Sequence, residues 1–451
     1  MAAISSNENV TLRKMLPILG ASTIGTAIEW YDFFLYGFFS ATIFNKLFFP
    51  NLDPVVGVLA SFTTYYIGFI ARPIGGAFFG RYGDRIGRKS TLVVTLLLMG
   101  IATCLMGLVP TYAQIGVFAP LLITILRFLQ GAGVGGEWGG SVLLSLEHGD
   151  NRRRGFWASW PQTGVPIGLA LAAIVVIIIQ SIFPNAVDFR AIGWRIPFFF
   201  SAVLIIVGLI IRLRILDTPA FTRLKEENRT AKSPLLDAFR YHWKDIILTA
   251  LLRSGEQAPF YLFTTFILSY GVTALKIPLN LLYVGIIVAA VISFVFMPTA
   301  SYVSDIIGRK RWFIIGSVVM ALFAFPFFLL LQTRNPVIVV CTMAFAIGIC
   351  HAALYGPEAA FISEHFGTKL RYSGASLGYQ LASLTAGGPA PIIATLLVAR
   401  YHSYVPIAIY IIIMALISIV ATVALKEYAN QDAQSDREEI GLTPTTLASE
   451  A

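Results

Sequence analysis

The chain has 451 residues, of which 57% are hydrophobic and only 13% charged, and its mean hydropathy is +0.75. A soluble domain carries about a quarter charged residues, and a chain this apolar lacks the polar atoms to cover a folded surface in water. The formal net charge of +9 is set against that background: its placement along the chain, described below, marks topology and does not call for a nucleic-acid partner.

A spanning helix needs about twenty predominantly apolar residues. Twelve such stretches are predicted, at 15–42, 55–80, 90–110, 114–145, 156–182, 192–214, 246–272, 277–303, 312–332, 336–362, 372–399 and 403–426. The alternating pattern of a β-barrel is absent from them. The predicted class is therefore an all-α membrane protein with twelve transmembrane helices. The segment Met1 to Val10 is polar and lacks the basic start of a cleaved leader, so the first apolar stretch is expected to remain in the protein. Cys104, Cys341 and Cys350 lie in apolar stretches without metal-ligand spacing and are read as small hydrophobes.

Basic residues crowd the short links that follow even-numbered stretches: Arg81, Arg85, Arg88 and Lys89; Arg152, Arg153 and Arg154; Arg309, Lys310 and Arg311; Lys369 and Arg371. The positive-inside rule makes that side cytoplasmic and places both termini there, next to anionic headgroups. The longest link, 215–245, is charged and divides the chain. The expected organisation is a cytoplasmic N-terminus (1–14), a six-helix bundle (15–214), a cytoplasmic linker (215–245), a second six-helix bundle (246–426) and a cytoplasmic tail (427–451). A weak repeat supports the division, because the run from Gly80 to Lys89 and the run from Ser301 to Lys310 carry Asp, Gly, Arg and Lys at matching offsets. Two pseudo-equivalent halves suit rocking about a central site.

In chain order, the first stretch carries Glu29 and Asp32 among Trp30, Tyr31 and Tyr36. Three residues apart, the two acids share a helix face. Neither tolerates lipid, so both are expected to face the bundle interior. Two neighbouring acids suit a proton carrier, although a structural pair satisfied by a buried cation has the same pattern. The second stretch places Arg72 in Phe69-Ile70-Ala71-Arg72-Pro73. Its guanidinium stays charged and needs an acid or an anionic substrate. Asp84, Arg85 and Arg88, repeated as Asp305 and Arg309, are read as a gating latch, the bland alternative being a turn with topology charges.

The fourth stretch holds Arg127, Gly131, Gly135 and Glu137; the arginine and the two glycines form one track suited to tight helix crossing. Gln162 beside Pro161 is a candidate pocket residue, as are Tyr379 and Gln380 in the eleventh stretch. In the seventh, Arg253, Glu256 and Gln257 precede Pro259 and Tyr261, where the proline frees backbone groups. The tenth offers His351, Tyr355 and Glu358 at i, i+4 and i+7. A proton role suits the histidine, and so does plain packing. The candidate set is thus Glu29, Asp32 and Glu137 for protons, Arg72, Arg127, Tyr36, Gln162, Arg253, Glu256, Gln257, Tyr261, Tyr355 and Gln380 for substrate, and Asp84, Arg85, Arg88, Asp305 and Arg309 for gating. There is no phosphate-binding Gly-rich loop with a following Lys, no metal-ligand cluster and no nucleophile motif. No cofactor is expected, and the chain is not expected to be an enzyme.

Several segments together resemble the major facilitator superfamily and, within it, the metabolite:proton symporter family, whose members carry osmolytes such as proline and betaine or acids such as shikimate, α-ketoglutarate and citrate. They are Glu29-Trp30-Tyr31-Asp32-Phe33, the Arg72-Pro73 segment, Gly80 to Lys89, Arg127 to Gly140, Gly193-Trp194-Arg195-Ile196-Pro197-Phe198 and Leu216-Asp217-Thr218-Pro219-Ala220-Phe221. The resemblance implies the two-bundle fold, alternating access and proton coupling. It carries the family's gating parts onto Asp84, Arg85, Arg88 and Asp305, and the arginine motif onto Arg127, Gly131 and Gly135. The chain departs from the pattern at Gly25-Thr26, Ser301 and Ile306. The expected partners are a small-molecule substrate, protons and membrane lipids, and the expected state is a monomer in a bacterial inner membrane. Uptake of a small organic acid is the favoured activity, ahead of a zwitterion such as proline or betaine. Efflux of an apolar drug comes third.

Overall fold

The structure, a computed structural model, describes residues 12–86, 88–135, 142, 145–146, 149–214, 234–367 and 371–429. Every regular element in them is helical. The first six membrane helices are α1 Leu12–Thr42, α2 Pro54–Ile86, α3 Arg88–Leu108, α4 Phe118–Gly135, α5 Arg154–Gln162 continued by Gly164–Ile182, and α6 Ile196–Arg214. Helix α7 runs through Pro234–Leu252, Ser254–Tyr261, a π-helical turn at Leu262–Phe266, and Ile267–Thr273. Then come α8 Leu279–Ile307 and α9 Arg309–Gln332. Helix α10 is Pro336–Phe345, a π turn at Ala346–His351, and Ala352–Ser363. Helix α11 is Arg371–Ala382, a π turn at Ser383–Gly387, and Ala390–Tyr401, and α12 is Val405–Ala424.

Among the described residues nine segments are long and apolar enough to cross a membrane on length and composition alone. The remaining crossings are α1, α3 and α7. Charges lower the hydropathy of two of them, Glu29 and Asp32 in α1 and Arg253 and Glu256 in α7, and α3 offers the shorter apolar stretch Val93–Leu108. Intramembrane charge thus hides a helix from hydropathy at the places where function is expected. The outward faces are apolar: Leu322 is 72% exposed and Val420 70%, as lipid-facing side chains should be.

Two boundaries differ from the sequence expectation. The fourth stretch, predicted to begin near 114, is preceded by a short helix, Tyr112–Ile115, and a break at Gly116, whose φ of +61° lies in the left-handed region that glycine tolerates. Helix α7 starts at Pro234, inside the predicted linker, and is kinked at His242 (φ −125°) before it enters the membrane stretch.

Small residues set how closely the helices approach. A Cβ on Gly131 would lie 2.1 Å from the Gly68 carbonyl oxygen, and one on Gly135 would lie 1.9 Å from the Arg72 carbonyl oxygen. Helices α2 and α4 therefore touch backbone to backbone along the Arg127–Gly131–Gly135 track. Helices α1 and α5 do the same, with Gly164 against Thr23 and Gly168 against Ala27. The segment Gly193-Trp194-Arg195 acts as a corner. Arg195 donates to the carbonyls of Gly107 (2.6 Å) and Val109 (2.8 Å) at the end of α3, and buried Trp194 packs edge-on against Phe44, Phe48 and Phe198.

The α2–α4 contact leaves no room for any side chain. Gly135→Val is expected to cost well above the roughly 1–3 kcal/mol typical of overpacking, because the obstacle is backbone. The check is a sharp loss of monodisperse protein in size-exclusion chromatography, with the exposed Val420→Ala variant left unaffected.

Candidate functional site

Three clusters of buried polar groups lie along the interface between the halves. The first stands at the face that carries the basic links. Arg309, fully buried, pairs with Asp305 (2.6 Å) and with Glu364 (3.1 Å) and donates to Ser304 (2.7 Å). Asp305 in turn accepts from the backbone N–H groups of Gly155 and Phe156, both at 2.9 Å. Those are donors at the N-terminus of α5, where a helix leaves N–H groups unsatisfied and favours negative charge. The local N-cap residue, Arg153, supplies no side-chain bond, so a carboxylate from the second half caps a helix of the first. Gly155 is required there, since a Cβ on it would lie 2.4 Å from Nη1 of Arg309. The hydrogen bonds to the α5 N-terminus come from Asp305. The side chains of the first copy, Asp84, Arg85 and Arg88, fall outside the described residues, as does Glu137.

The second cluster belongs to the first half. Arg72 and Arg127 are 1% and 0% exposed, and among the described residues neither meets a carboxylate within ion-pair distance. Arg127 donates to Gln130, which passes the bond on to Thr103 (2.8 Å). Its Nη2 finds no hydrogen-bond partner, and neither do Nε and Nη2 of Arg72. Both guanidinium groups rest on rings instead, with their carbon atoms 4.1 Å (Arg72) and 4.0 Å (Arg127) from the centre of the Phe33 ring. Arg72 also faces Phe69, while Arg127 faces Tyr36 and Tyr65. Ring faces attract cations but do not neutralise them. The acids of α1, Glu29 and Asp32, do not lie within ion-pair distance of Arg72. Asp32 instead takes a short hydrogen bond from Ser201, its Oδ2 is without a partner, and Glu29 is buried one turn away. Tyr36 donates to Thr64 (2.8 Å).

The third cluster belongs to the second half. Arg253 pairs with Glu256 (2.8 Å) and, closely, with Glu358. It donates to the Tyr379 carbonyl (2.7 Å) and lies 3.5 Å from the centre of that ring. His351 stands 3.1 Å from Glu256, and the Tyr355 hydroxyl bonds that of Tyr379 (3.0 Å).

The other candidates line the seam between these groups. Gln162 donates to the Tyr355 carbonyl (3.3 Å) and Gln380 to the Gly135 carbonyl (3.4 Å). The ring of Tyr261 packs on Phe69 (5.0 Å) and Tyr65 (6.1 Å), and Gln257 lies beside it, since both crowd the Cβ position of Gly387. Further along α1, Phe34 meets Phe260 (5.7 Å) and Phe38 meets Tyr283 (5.3 Å). The halves therefore touch at the basic face, at mid-depth and towards the opposite face. Ser201 and Glu364 carry no sequence signal. Glu358 lies on the expected face of α10 with His351 and Tyr355, but its pairing with Arg253 is set only in the fold.

Beyond the end of the α10 span, His365 sets its ring nitrogens near the carbonyls of Phe361 (2.7 Å) and Lys426 (3.1 Å), and the neutral ring has one N–H to donate to one of them. Burial holds its pKa below the ordinary value, which is about 6.5. Below that value the unfolded chain binds a proton that the folded chain resists. Stability is therefore complete above pH ~6.5 and falls as the pH drops towards the lowered folded value. A thermal melt measured from pH 7.5 to pH 5 should show part of its decline removed in His365→Gln.

The family model described as Major Facilitator Superfamily matches residues 22–389 and 290–449. The inner membrane metabolite transport protein YhjE of Escherichia coli is 38% identical over 419 residues, 92% of this chain and 94% of that protein. The shikimate transporter of the same organism is 37% identical and is matched over 93% of its length by 90% of this chain. The Escherichia coli proline/betaine transporter is 32% identical, matched over 85% of its length by 93% of this chain. The fold matches that of the proton:xylose symporter XylE with a TM-score of 0.73 over 94% of this chain and 98% of that one, at 17% identity. A family model that spans most of the chain, relatives aligned over nearly its whole length and the two-bundle fold agree: the chain belongs to the major facilitator superfamily and is a multi-pass secondary transporter of small metabolites.

Proposed function

We propose that the chain carries out proton-coupled uptake of a small organic acid by alternating access. The observation that carries this reading is the pair Arg72 and Arg127, two buried guanidinium groups with donors left over and no carboxylate at ion-pair distance among the described residues. Buried charge is costly until it is paired. A carboxylate between the two arginines would accept the unused donors and neutralise charge that ring faces only soften. The relative that carries shikimate, a carboxylic acid, points the same way. Asp32 is the proposed proton carrier, with Glu29, one turn earlier on the same helix, and Glu137 of the fourth stretch as the further candidates. Entry of a proton with each anion offsets the anion's charge.

Tyr36, Gln162, Gln257, Tyr261, Tyr355 and Gln380 complete the proposed pocket, and Arg253 and Glu256 shape its second-half wall. Asp305 and Arg309, with Asp84, Arg85 and Arg88 in the first copy, form the proposed cytoplasmic gate. Uncapping α5 from Asp305 would let the basic face open. In this reading the basic links face the cytoplasm, both termini lie there, and the chain works as a monomer in the bacterial inner membrane.

A zwitterion such as proline or betaine is the alternative, supported by the proline/betaine relative. Against it, the rings nearest the pocket already carry guanidinium groups, which leaves less bare aromatic face for an ammonium. Uptake of labelled shikimate, α-ketoglutarate, citrate, proline and betaine into proteoliposomes under an imposed proton gradient separates the two. Accumulation of an acid is expected. Arg72→Gln and Arg127→Gln should each weaken binding of that acid by roughly 10–100-fold, the worth of a charge-assisted bond of about 1.5–3 kcal/mol. Unchanged affinity in both variants, or accumulation of betaine alone, refutes the assignment.

Asp32 is tested separately. If it carries the proton, Asp32→Asn should abolish gradient-driven accumulation of the acid and leave substrate exchange across the membrane intact. Accumulation at the wild-type level removes Asp32 from the coupling step.

A further inference from the structure

The second-half cluster does not balance its charges. One guanidinium, Arg253, serves two carboxylates, Glu256 and Glu358, and all three are at most 1% exposed. The other titratable groups near them are Tyr261 of α7, His351 and Tyr355 of α10, and Tyr379 of α11. The phenols are neutral donors. With neutral His351 and both carboxylates ionised, the cluster would bury a net negative charge away from water, which a low-dielectric interior opposes. One bound proton makes it neutral.

Geometry shows where that proton can sit and how it can move. Glu256 is held on one oxygen by Arg253 (2.8 Å) and faces His351 Nε2 with the other (3.1 Å). Glu358 meets Arg253 through Oε1 only, and its Oε2 has no partner. His351 is fixed between two rings, stacked on Phe260 at 4.1 Å and on Tyr355 at 5.1 Å. The backbone carries an independent mark. Helices α7, α10 and α11 each contain a π-helical turn, and two of these turns adjoin the cluster: His351 ends the one in α10, and Ser383, 3.5 Å from Arg253, begins the one in α11. Such turns cost helix regularity and concentrate at functional sites.

We propose that Glu256 and Glu358, balanced on Arg253 and served by His351, form a second proton-binding site of this transporter, separate from Asp32 in the first half. The carboxylate pair shares one proton. Transfer breaks the O–H bond at Glu256 and forms N–H at His351 Nε2, which carries the positive charge until the proton leaves. The proposal rests on the reading of the chain as proton-coupled. Phe260 links the two halves, since it stacks on His351 and also meets Phe34 of α1 (5.7 Å). Rocking of the halves would therefore move the ring that holds the histidine.

Infrared difference spectroscopy of the full-length protein in lipid, with pH stepped through neutrality, tests the site without any substrate. The readout is the C=O band of a protonated carboxyl group. The wild type should show a titrating band that survives Asp32→Asn. Either Glu256→Gln or Glu358→Gln should remove it, because one remaining carboxylate is balanced by Arg253. Two single variants guard against misfolding in one of them, and size-exclusion chromatography reports on each. The proposal is overturned by a wild type without the band, by a band that Asp32→Asn abolishes, or by a band that persists in both glutamine variants. Proteoliposome uptake of the same panel of acids and osmolytes reads proton coupling on its own. A band that behaves as expected with uptake indifferent to the gradient ends the coupling and keeps the site. Gradient-driven uptake with an unchanged band in the glutamine variants ends the site and keeps the coupling.

Discussion

Charge buried away from water must be neutralised, and the polar interior of this protein is arranged around three different answers to that constraint. Arg309 is neutralised by Asp305 and Glu364 at the edge of the bundle. Arg253 is over-neutralised by two glutamates. Arg72 and Arg127 are softened by aromatic rings and meet no described acid. Were all three alike, the interior would be a static ion-pair network. Their imbalance is what the proposed acid–proton symport would need: a place short of negative charge for an anion, and a place with too much of it for a proton.

The imbalance is tolerable because the surrounding helices are close-packed. Backbone contacts at Gly131 and Gly135 hold α4 on α2, so Arg127 and Arg72 project from two elements that cannot slide independently. The corner at Arg195 ties α6 to the end of α3. Rigid units of this kind can keep unfavourable charge placements and move as bodies. Where the halves meet, the contacts are of another sort: one carboxylate on two N–H groups, single amide bonds from Gln162 and Gln380, and edge-on rings. Each can be released without breaking either bundle.

Much of this was legible in the chain. Hydropathy marked the membrane helices, and the charged interruptions in α1 and α7 marked where to look for chemistry. The glycine track after Arg127 reads directly as close packing, since only glycine allows that approach. The latch motif identified Asp305 and Arg309. The interactions those residues make were not legible. Nothing near Asp305 in sequence indicates that it caps a helix 150 residues away. Ser201 against Asp32 and Glu364 against Arg309 are likewise pairings between distant elements, with no local pattern to announce them.

The sequence alone determined class, crossing segments, basic-link asymmetry and the short list of intramembrane charges, because each follows from composition or from spacing along a single helix. Only the tertiary structure decided how those charges are matched. Matching depends on which helices face each other and at what depth, and the same residues are compatible with several arrangements until the helices pack. The twelve apolar helices were readable from the start; the uneven neutralisation of the four arginines inside them was not.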